Sequence, residues 1–336
     1  MSTRSADPGA TPAAAGSLDA ALRAGERVLR EAGVPSARAD VELLAAHLLR
    51  GTRSDVRTAA VLGRLAPEGL DDLVARRARR VPLQHLTGRA PFRRIELEVG
   101  PGVFVPRPET EQVAEVAVVA ARAAAAERAT SGQGTSERVT SERGSGHAVV
   151  VDLCTGSGAI ALAVADEVPR AQVHAVELDA QAHAWAARNV AASSAPERVH
   201  LVRGDARTAL TDLDGLVDVV VSNPPYVPPD AVPVDPEVRD HDPAVALYGL
   251  GPDGLTVPRG VAVAAARLLR PGGLLVMEHA EVQAAAARAL VLAVRAGDAP
   301  AFADVRTAQD LTGRDRMVVA RRTPAGGAVT MKDSRP

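Results

Sequence analysis

The sequence predicts an α/β fold: a mostly parallel sheet with helices on both faces, preceded by a small helical bundle and a connecting β-hairpin. Three observations predict it. Across residues 148–278, short Val- and Leu-rich runs alternate with helical segments, the pattern of strands buried on both faces. Across residues 17–85, apolar residues recur at helical spacing. Around residues 91–106 the period shortens to two, between Gly and Pro punctuation.

Residues 1–16 are rich in Ala, Ser, Thr and Pro and lack the apolar block of a secretion signal. They read as a disordered leader. A helical domain is expected over 17–86. Leu18, Leu22, Val28 and Leu29 line a first helix, Gly33-Val34-Pro35 ends it, and Ser36 is placed to cap a second that carries Val41, Leu44, Ala45, Leu48 and Leu49. A third spans about 67–80. Helices of this size bury one stripe each, so they form a bundle. A basic run in the third, Arg76, Arg77, Arg79 and Arg80, reads as a solvated face.

Residues 87–108 read as the hairpin connector. Phe92, Ile95, Leu97 and Val99 make one arm, Pro101-Gly102 the turn and Val103-Phe104-Val105 the other. Pro106 and Pro108 end it, and Glu109 or Thr110 starts a helix. Residues 109–321 form the main domain, interrupted at 126–147 by a polar stretch that reads as a flexible insertion. Strands are expected at 148–153, 172–177, 199–203, 216–222 and 274–278. Runs at 302–306 and 316–320 suit an antiparallel pair at the sheet edge, and 322–336 reads as a disordered tail.

Composition narrows the function. The chain is 336 residues long, with a net charge of −2, and aromatic residues make up 2 %. The core is therefore built from small aliphatic side chains, and no strong electrostatic footprint for long nucleic acid is present. A single cysteine excludes a disulfide framework, and the 8 histidines show no metal-ligand spacing, so no metal is expected. No apolar run is long enough to span a bilayer. Trp185, in the middle of a helix, reads as core.

The run Val149-Val150-Val151-Asp152-Leu153-Cys154-Thr155-Gly156-Ser157-Gly158-Ala159 is a strand, a glycine turn and a helix start. Gly156 and Gly158 let a ligand approach the backbone. The pattern G-x-G-x-x-A serves a nucleoside cofactor or a dinucleotide equally well. Glu177 ends the next strand, where a carboxylate accepts hydrogen bonds from two ribose hydroxyls. Asp179 reads as a helix cap. Asp205 follows the third strand, placed either to accept from an adenine amino group or to serve a plain turn. No P-loop lysine is apparent, which favours a nucleoside.

The most specific feature is Asn223-Pro224-Pro225-Tyr226, at the carboxyl end of the fourth strand. The prolines stiffen this turn. Asn223 Oδ1 and the Pro224 carbonyl can each accept one hydrogen of a planar NH₂ group, and Tyr226 can stack on its flat face. An amide nitrogen is a poor nucleophile. Fixing both hydrogens aims it at an activated methyl and stabilises the positive charge that develops. The proton can leave afterwards, so no strong base is needed.

Over nearly all of residues 17–321 the chain resembles the release-factor glutamine methyltransferases. The likeness is carried by Pro82-Leu83-Gln84-His85-Leu86-Thr87-Gly88, Phe104-Val105-Pro106-Arg107-Pro108-Glu109-Thr110-Glu111, the glycine turn, residues 223–226, Ala246-Leu247-Tyr248-Gly249 with Asp253-Gly254-Leu255, and Pro271-Gly272-Gly273 through Glu278-His279. The resemblance implies a Rossmann-like class I methyltransferase sheet of seven strands with its last strand antiparallel, and an N-terminal domain that grips the substrate. It implies S-adenosylmethionine as cofactor, contacted by Cys154, Thr155, Gly156, Ser157, Gly158, Glu177, Asp205, Ala206 and Asn223. Asn223, Pro224, Pro225 and Tyr226 would bind the substrate, with Asn223, Pro224 and Tyr226 catalytic. The implied partners are cytoplasmic peptide chain release factors, methylated on the glutamine of a Gly-Gly-Gln loop, with no direct DNA and no membrane partner. Cys154 stands where the family carries glycine, Ala206 replaces a position that is often bulky, and the 126–147 insertion is long. Arg107 either reaches the rim of the site or pairs with Glu109 or Glu111.

Rival readings remain open on the residues alone. Asn-Pro-Pro-Tyr is shared with adenine-amino DNA methyltransferases, which need a base-flipping pocket and a phosphate-binding surface. A ribosomal-protein glutamine is an alternative acceptor. A dehydrogenase or a non-catalytic nucleotide-binding module would leave Asn-Pro-Pro-Tyr without a use.

Overall fold

The computed structural model describes residues 16–131, 146–324 and 326–332. Residues 1–15 of the expected leader, most of the insertion and the last residues of the tail lie outside them. The chain divides into two compact units, one ending at Thr87 and the other starting at Gly88.

The first unit is helical: α1 (Leu18–Glu31), α2 (Ala37–Leu49), α3 (Arg53–Val61), α4 (Leu70–Ala78) and α5 (Leu83–Thr87). Its core collects Leu18, Leu22, Leu29, Val41, Leu44 and Val74. The short α3 escapes the apolar-spacing reading because Val56 is its one buried residue. It is held instead by a capping box between Thr52 and Asp55. Ser36 does not cap α2 with its side chain; its hydroxyl donates to Asp40 Oδ1 at 2.7 Å. Asp40 is buried and also pairs with Arg77 at 2.7 Å. Arg77 is therefore interior, unlike its exposed neighbours Arg76 and Arg79, and the basic run is not one solvated face. Glu42 is 2 % exposed and gathers Arg38, Arg53 and Arg57. Burial pushes its carboxyl up, but the three arginine hydrogen bonds outweigh burial and hold it at about 2.

The second unit opens with the hairpin β1 (Arg89–Phe92) and β2 (Ile95–Glu98). Its turn is Arg93-Arg94, with Phe92 opposite Ile95, and not Pro101-Gly102 as the alternation implied. Arg93 sits at φ +53°, which a two-residue hairpin turn requires. Its guanidinium pays for that conformation by reaching Glu115 and Glu167. Helix α6 (Thr110–Ser131) then runs six residues into the segment expected to be a flexible insertion.

The elements that follow are β3 (Ala148–Leu153), α7 (Ala159–Glu167), β4 (Ala171–Glu177), α8 (Ala180–Ala192), β5 (Val199–Arg203), β6 (Val217–Ser222), α9 (Pro236–His241), α10 (Ala244–Leu247), α11 (Thr256–Leu268), β7 (Leu269–Glu278) and α12 (Ala284–Ala293). The chain closes with β8 (Val294–Ala296), β9 (Ala299–Pro300), β10 (Phe302–Gln309), β11 (Asp315–Arg322) and β12 (Val329–Met331). Strand β12 pairs with β8, so that part of the expected tail is ordered.

Among the described residues the main sheet has seven strands in the order β10-β11-β7-β6-β3-β4-β5. Strands β3 to β7 run parallel, and β11 is antiparallel to both β7 and β10. Alternation along the strands feeds two cores. Val150, Val219 and Val276 face one, with α6 and α7; Val151, Val220 and Leu275 face the other, with α11 and α12. Phe92 is the one aromatic among the largest fully buried side chains, so both layers pack on aliphatics. After β5 the chain crosses to the far side of β3 to build β6. The carboxyl ends of β3 and β6 thus flank a topological switch point, where open α/β sheets bind ligands.

Candidate active site

A cavity of about 730 Å³ opens at that switch point. The turn after β3 forms its floor. Cys154, Gly156 and Gly158 all have positive φ, at +65°, +59° and +87°. The turn is held from below by Asp152, whose Oδ2 accepts from Thr155 Oγ1 at 2.6 Å and from the Ala161 N–H at 3.1 Å. Asp152 is wholly buried, its Oδ1 has no partner, and burial pushes its carboxyl up to about 7. Ser157 is buried, and its carbonyl accepts from Asn189. Gly158 opens α7.

Glu177, at the end of β4, lines the cavity and accepts from the N–H groups of Gly156 and Asp179, each at 2.8 Å. Burial raises its pKa, and those backbone bonds oppose the shift. Asp179 caps α8, as its position implied. Asp205 and Ala206 also line the cavity. Asp205 is gripped by Arg207, which lies 2.6 Å from its Oδ2 and holds its carboxyl below the usual range. Ala206 is buried against the second core.

The turn at residues 223–226 forms the facing wall. Asn223, Pro225 and Tyr226 line the cavity, whereas Pro224 is buried and does not. Asn223 Nδ2 donates to Thr110 Oγ1 at 3.3 Å. Tyr226 directs its hydroxyl to Glu278 Oε1 at 3.4 Å. Glu278 is 2 % exposed, its Oε2 accepts no hydrogen bond, and burial pushes it up to about 7.

The turn is clamped from outside. Leu247 O accepts from the N–H groups of Tyr226 and Val227, Gly249 N–H donates to Val227 O, and Gln283 donates to Tyr226 O. A Cβ on Gly249 would collide with the carbonyl oxygens of Gly254 and Pro225, and one on Gly254 with Tyr226 O. That contact is what the Gly249 to Gly254 spacing provides. Arg107 lines the cavity and pairs with Asp242 at 2.5 Å, not with Glu109 or Glu111, while its guanidinium lies 4.9 Å from the Phe104 ring centroid.

Sequence reasoning missed Thr110, Glu278, Arg207 and Asp242 as members of this site. Thr110 and Glu278 both lie in motifs that carry the resemblance, but nothing local shows that Thr110 meets Asn223, 113 positions away, or that Glu278 meets Tyr226, 52 positions away. Also unforeseen is an apolar rim at the mouth, where Val232, Val234 and Leu250 are exposed.

Residues 20–88 match the family described as PrmC N-terminal domain, and residues 137–235 match that described as Methyltransferase small domain. The chain is similar to the release factor glutamine methyltransferase of Streptomyces coelicolor, 47 % identical over 300 residues that cover 88 % of this chain and 94 % of that protein. It is also similar to that of Mycolicibacterium smegmatis, 44 % identical over 307 residues, 91 % and 98 % of the two chains. A third relative is the 4-amino-L-phenylalanine/4-methylamino-L-phenylalanine methyltransferase of Streptomyces pristinaespiralis, 40 % identical over 280 residues, 83 % and 88 % of the two chains.

Proposed function

The chain belongs to the release factor glutamine methyltransferase family, and we propose that it methylates the side-chain amide nitrogen of the glutamine in the Gly-Gly-Gln loop of peptide chain release factors. The observation that carries this reading is the orientation of Asn223. Its NH₂ is turned to Thr110, so its carbonyl oxygen is left to accept from a substrate NH₂.

The cavity fits S-adenosylmethionine. A Cβ at Gly156 would meet nothing within 4 Å, so the turn leaves an open cradle where a ligand can lie against backbone. Four carboxylates line the cavity, Glu109, Glu177, Asp179 and Asp205, against two arginines. Both arginines are tied to carboxylates, Arg107 to Asp242 and Arg207 to Asp205. Among the described lining residues no free cation is left for a pyrophosphate, and an acidic lining suits a sulfonium. This favours the nucleoside cofactor over a dinucleotide.

Residues 154–158, Glu177, Asp205 and Ala206 would hold S-adenosylmethionine, which supplies a methyl group on a positively charged sulfur. Asn223 Oδ1 accepts one amide hydrogen of the glutamine, and Tyr226, on the same cavity wall, flanks its plane. That acceptor aims the nitrogen and stabilises the charge it gains. No histidine or lysine lines the cavity among the described residues. The excess proton on a methylated amide nitrogen is strongly acidic and leaves without a strong base once charge has formed.

The test uses labelled S-adenosylmethionine with a purified release factor, with the same factor after its loop glutamine is replaced by alanine, and with 4-amino-L-phenylalanine. The third acceptor is included because one relative of 40 % identity bears that name. Label is expected on the intact factor alone. Label on the amino acid and not on the factor would overturn the reading. Asn223→Ala is expected to lower kcat about 100-fold or more, with the Kd for S-adenosylmethionine within a few-fold of the parent. We infer a cytoplasmic location from the proposed encounter with release factors. No described helix is long and apolar enough to cross a membrane.

A further inference from the structure

We propose that Thr110, backed by Glu278, is a positioning residue that decides which end of the Asn223 amide faces the substrate. The proposal rests on the glutamine reading above and deepens it.

The two ends of an asparagine amide have the same shape and opposite hydrogen-bonding character. In the site proposed here only the oxygen is useful, because a flipped amide would set NH₂ against NH₂. Packing cannot tell the ends apart, so a polar partner must. Thr110 Oγ1 is the partner present, 3.3 Å from Asn223 Nδ2, and Thr110 is 4 % exposed, so water does not compete. A threonine hydroxyl by itself is ambiguous, because it donates one hydrogen and also accepts.

The ambiguity is removed by Glu278. The Thr110 hydroxyl faces this buried carboxylate and favours its charged form. An ionised carboxylate only accepts. It draws the Thr110 hydrogen and the Tyr226 hydrogen toward itself, which leaves the Thr110 oxygen to accept from Asn223. The polar order therefore runs in one direction: Asn223 N–H donates to Thr110 Oγ1, and the Thr110 hydrogen is drawn toward the Glu278 charge. At its open end stands Asn223 Oδ1, ready for a substrate N–H. The same carboxylate holds the Tyr226 hydroxyl, so one charge orients both side chains of the turn. Placing Thr110 as the first residue of α6 gives it a backbone fixed by a long helix, and β7 fixes Glu278.

The test compares Thr110→Val, which keeps the shape and removes the acceptor, with Thr110→Ser and Glu278→Gln, at pH 8 on an intact release factor. Thr110→Val is expected to lower kcat roughly 30-fold, with the Kd for S-adenosylmethionine unchanged within about two-fold, the signature of a lost orientation and not of lost folding. Thr110→Ser is expected to keep kcat within about three-fold. Thr110→Val combined with Asn223→Ala is expected to be no slower than Asn223→Ala alone, because the two act as one unit. A normal kcat in Thr110→Val, or multiplied effects in the double variant, overturns the proposal. A second readout needs no activity: the side-chain NH₂ resonances of Asn223 by NMR, which shift in Thr110→Val and hold in Thr110→Ser. If the parent does not label the release factor, the glutamine reading falls. Unshifted resonances in Thr110→Val sink the Thr110 proposal whatever the parent's activity.

Discussion

Cys154 carries a side chain on backbone at φ +65°, a conformation that costs a non-glycine residue on the order of 1 kcal/mol. The site accepts it because the thiol lies in the cavity wall beside the turn. Burial, with Glu177 next, pushes this thiol well above its ordinary pKa, so it stays neutral and a weak nucleophile. Cys154→Gly relieves the strain but frees the unfolded chain, and is expected to leave urea stability within about 1 kcal/mol of the parent. Cys154→Val forces a β-branched side chain into the same φ and is expected to cost about 2 kcal/mol or more. Equal stabilities for the valine and glycine variants would mean that the turn is not strained. The residue scale also shows why the site was only partly legible. Glycine turns and Asn-Pro-Pro-Tyr announce themselves because their backbone demands are local. Thr110 does not, because its use depends on a contact that only the folded sheet creates.

Elements were legible where a single local rule decides them. Strands β3 and β5 begin and end where the apolar runs do. The hairpin turn was misplaced because Arg93 holds a left-handed conformation through ion pairs with Glu115 and Glu167, residues distant in sequence. Pro101-Gly102 looked the better turn on local grounds alone. The segment after α10 is a second case in which tertiary contact dictates sequence. Gly249 lets the loop press its backbone on Pro225 and Tyr226, so it acts as an outer splint for the turn. Gly249→Ala must push that backbone apart. Overpacking of this kind costs about 1–3 kcal/mol, and a displaced turn loses kcat more than cofactor affinity. The expected outcome is kcat down about 10-fold or more, with the calorimetric Kd for S-adenosylmethionine little changed. A parental kcat in Gly249→Ala would show that residues 249–254 do not support the turn.

For the whole molecule, two kinds of carboxyl carry opposite responses to pH. In the first, Glu42 is held at about 2, below its unfolded value of 4.5. The stability it contributes is complete above pH 4.5 and is lost as pH falls from 4.5 to 2. In the second, Asp152 and Glu278 are raised to about 7 from 3.8 and 4.5. Here the folded state binds more protons than the unfolded one, so stability is greatest in mild acid and falls as pH rises toward 7. Each shift corresponds to a cost on the order of 3 kcal/mol above neutral pH. His279, whose pKa burial lowers, works in the opposite sense below 6.5, but burial raises four carboxyls of the second unit, Asp152, Glu177, Asp242 and Glu278. Trp185 is the single tryptophan and lies in the second unit, half-buried with its indole N–H on Pro101 O, so its fluorescence reports that unit alone. The Tm read from Trp185 without ligand is expected to be higher at pH 5.5 than at pH 8, by about 5 °C or more. A Tm that rises from pH 5.5 to 8 would contradict the burial of both carboxyls. Glu278→Gln cannot titrate, so it should raise the Tm at pH 8 and flatten its pH dependence while it slows methyl transfer. A variant that is more stable and less active identifies a buried charge kept for what it orients, because a carboxylate serving only the fold would cost stability when neutralised.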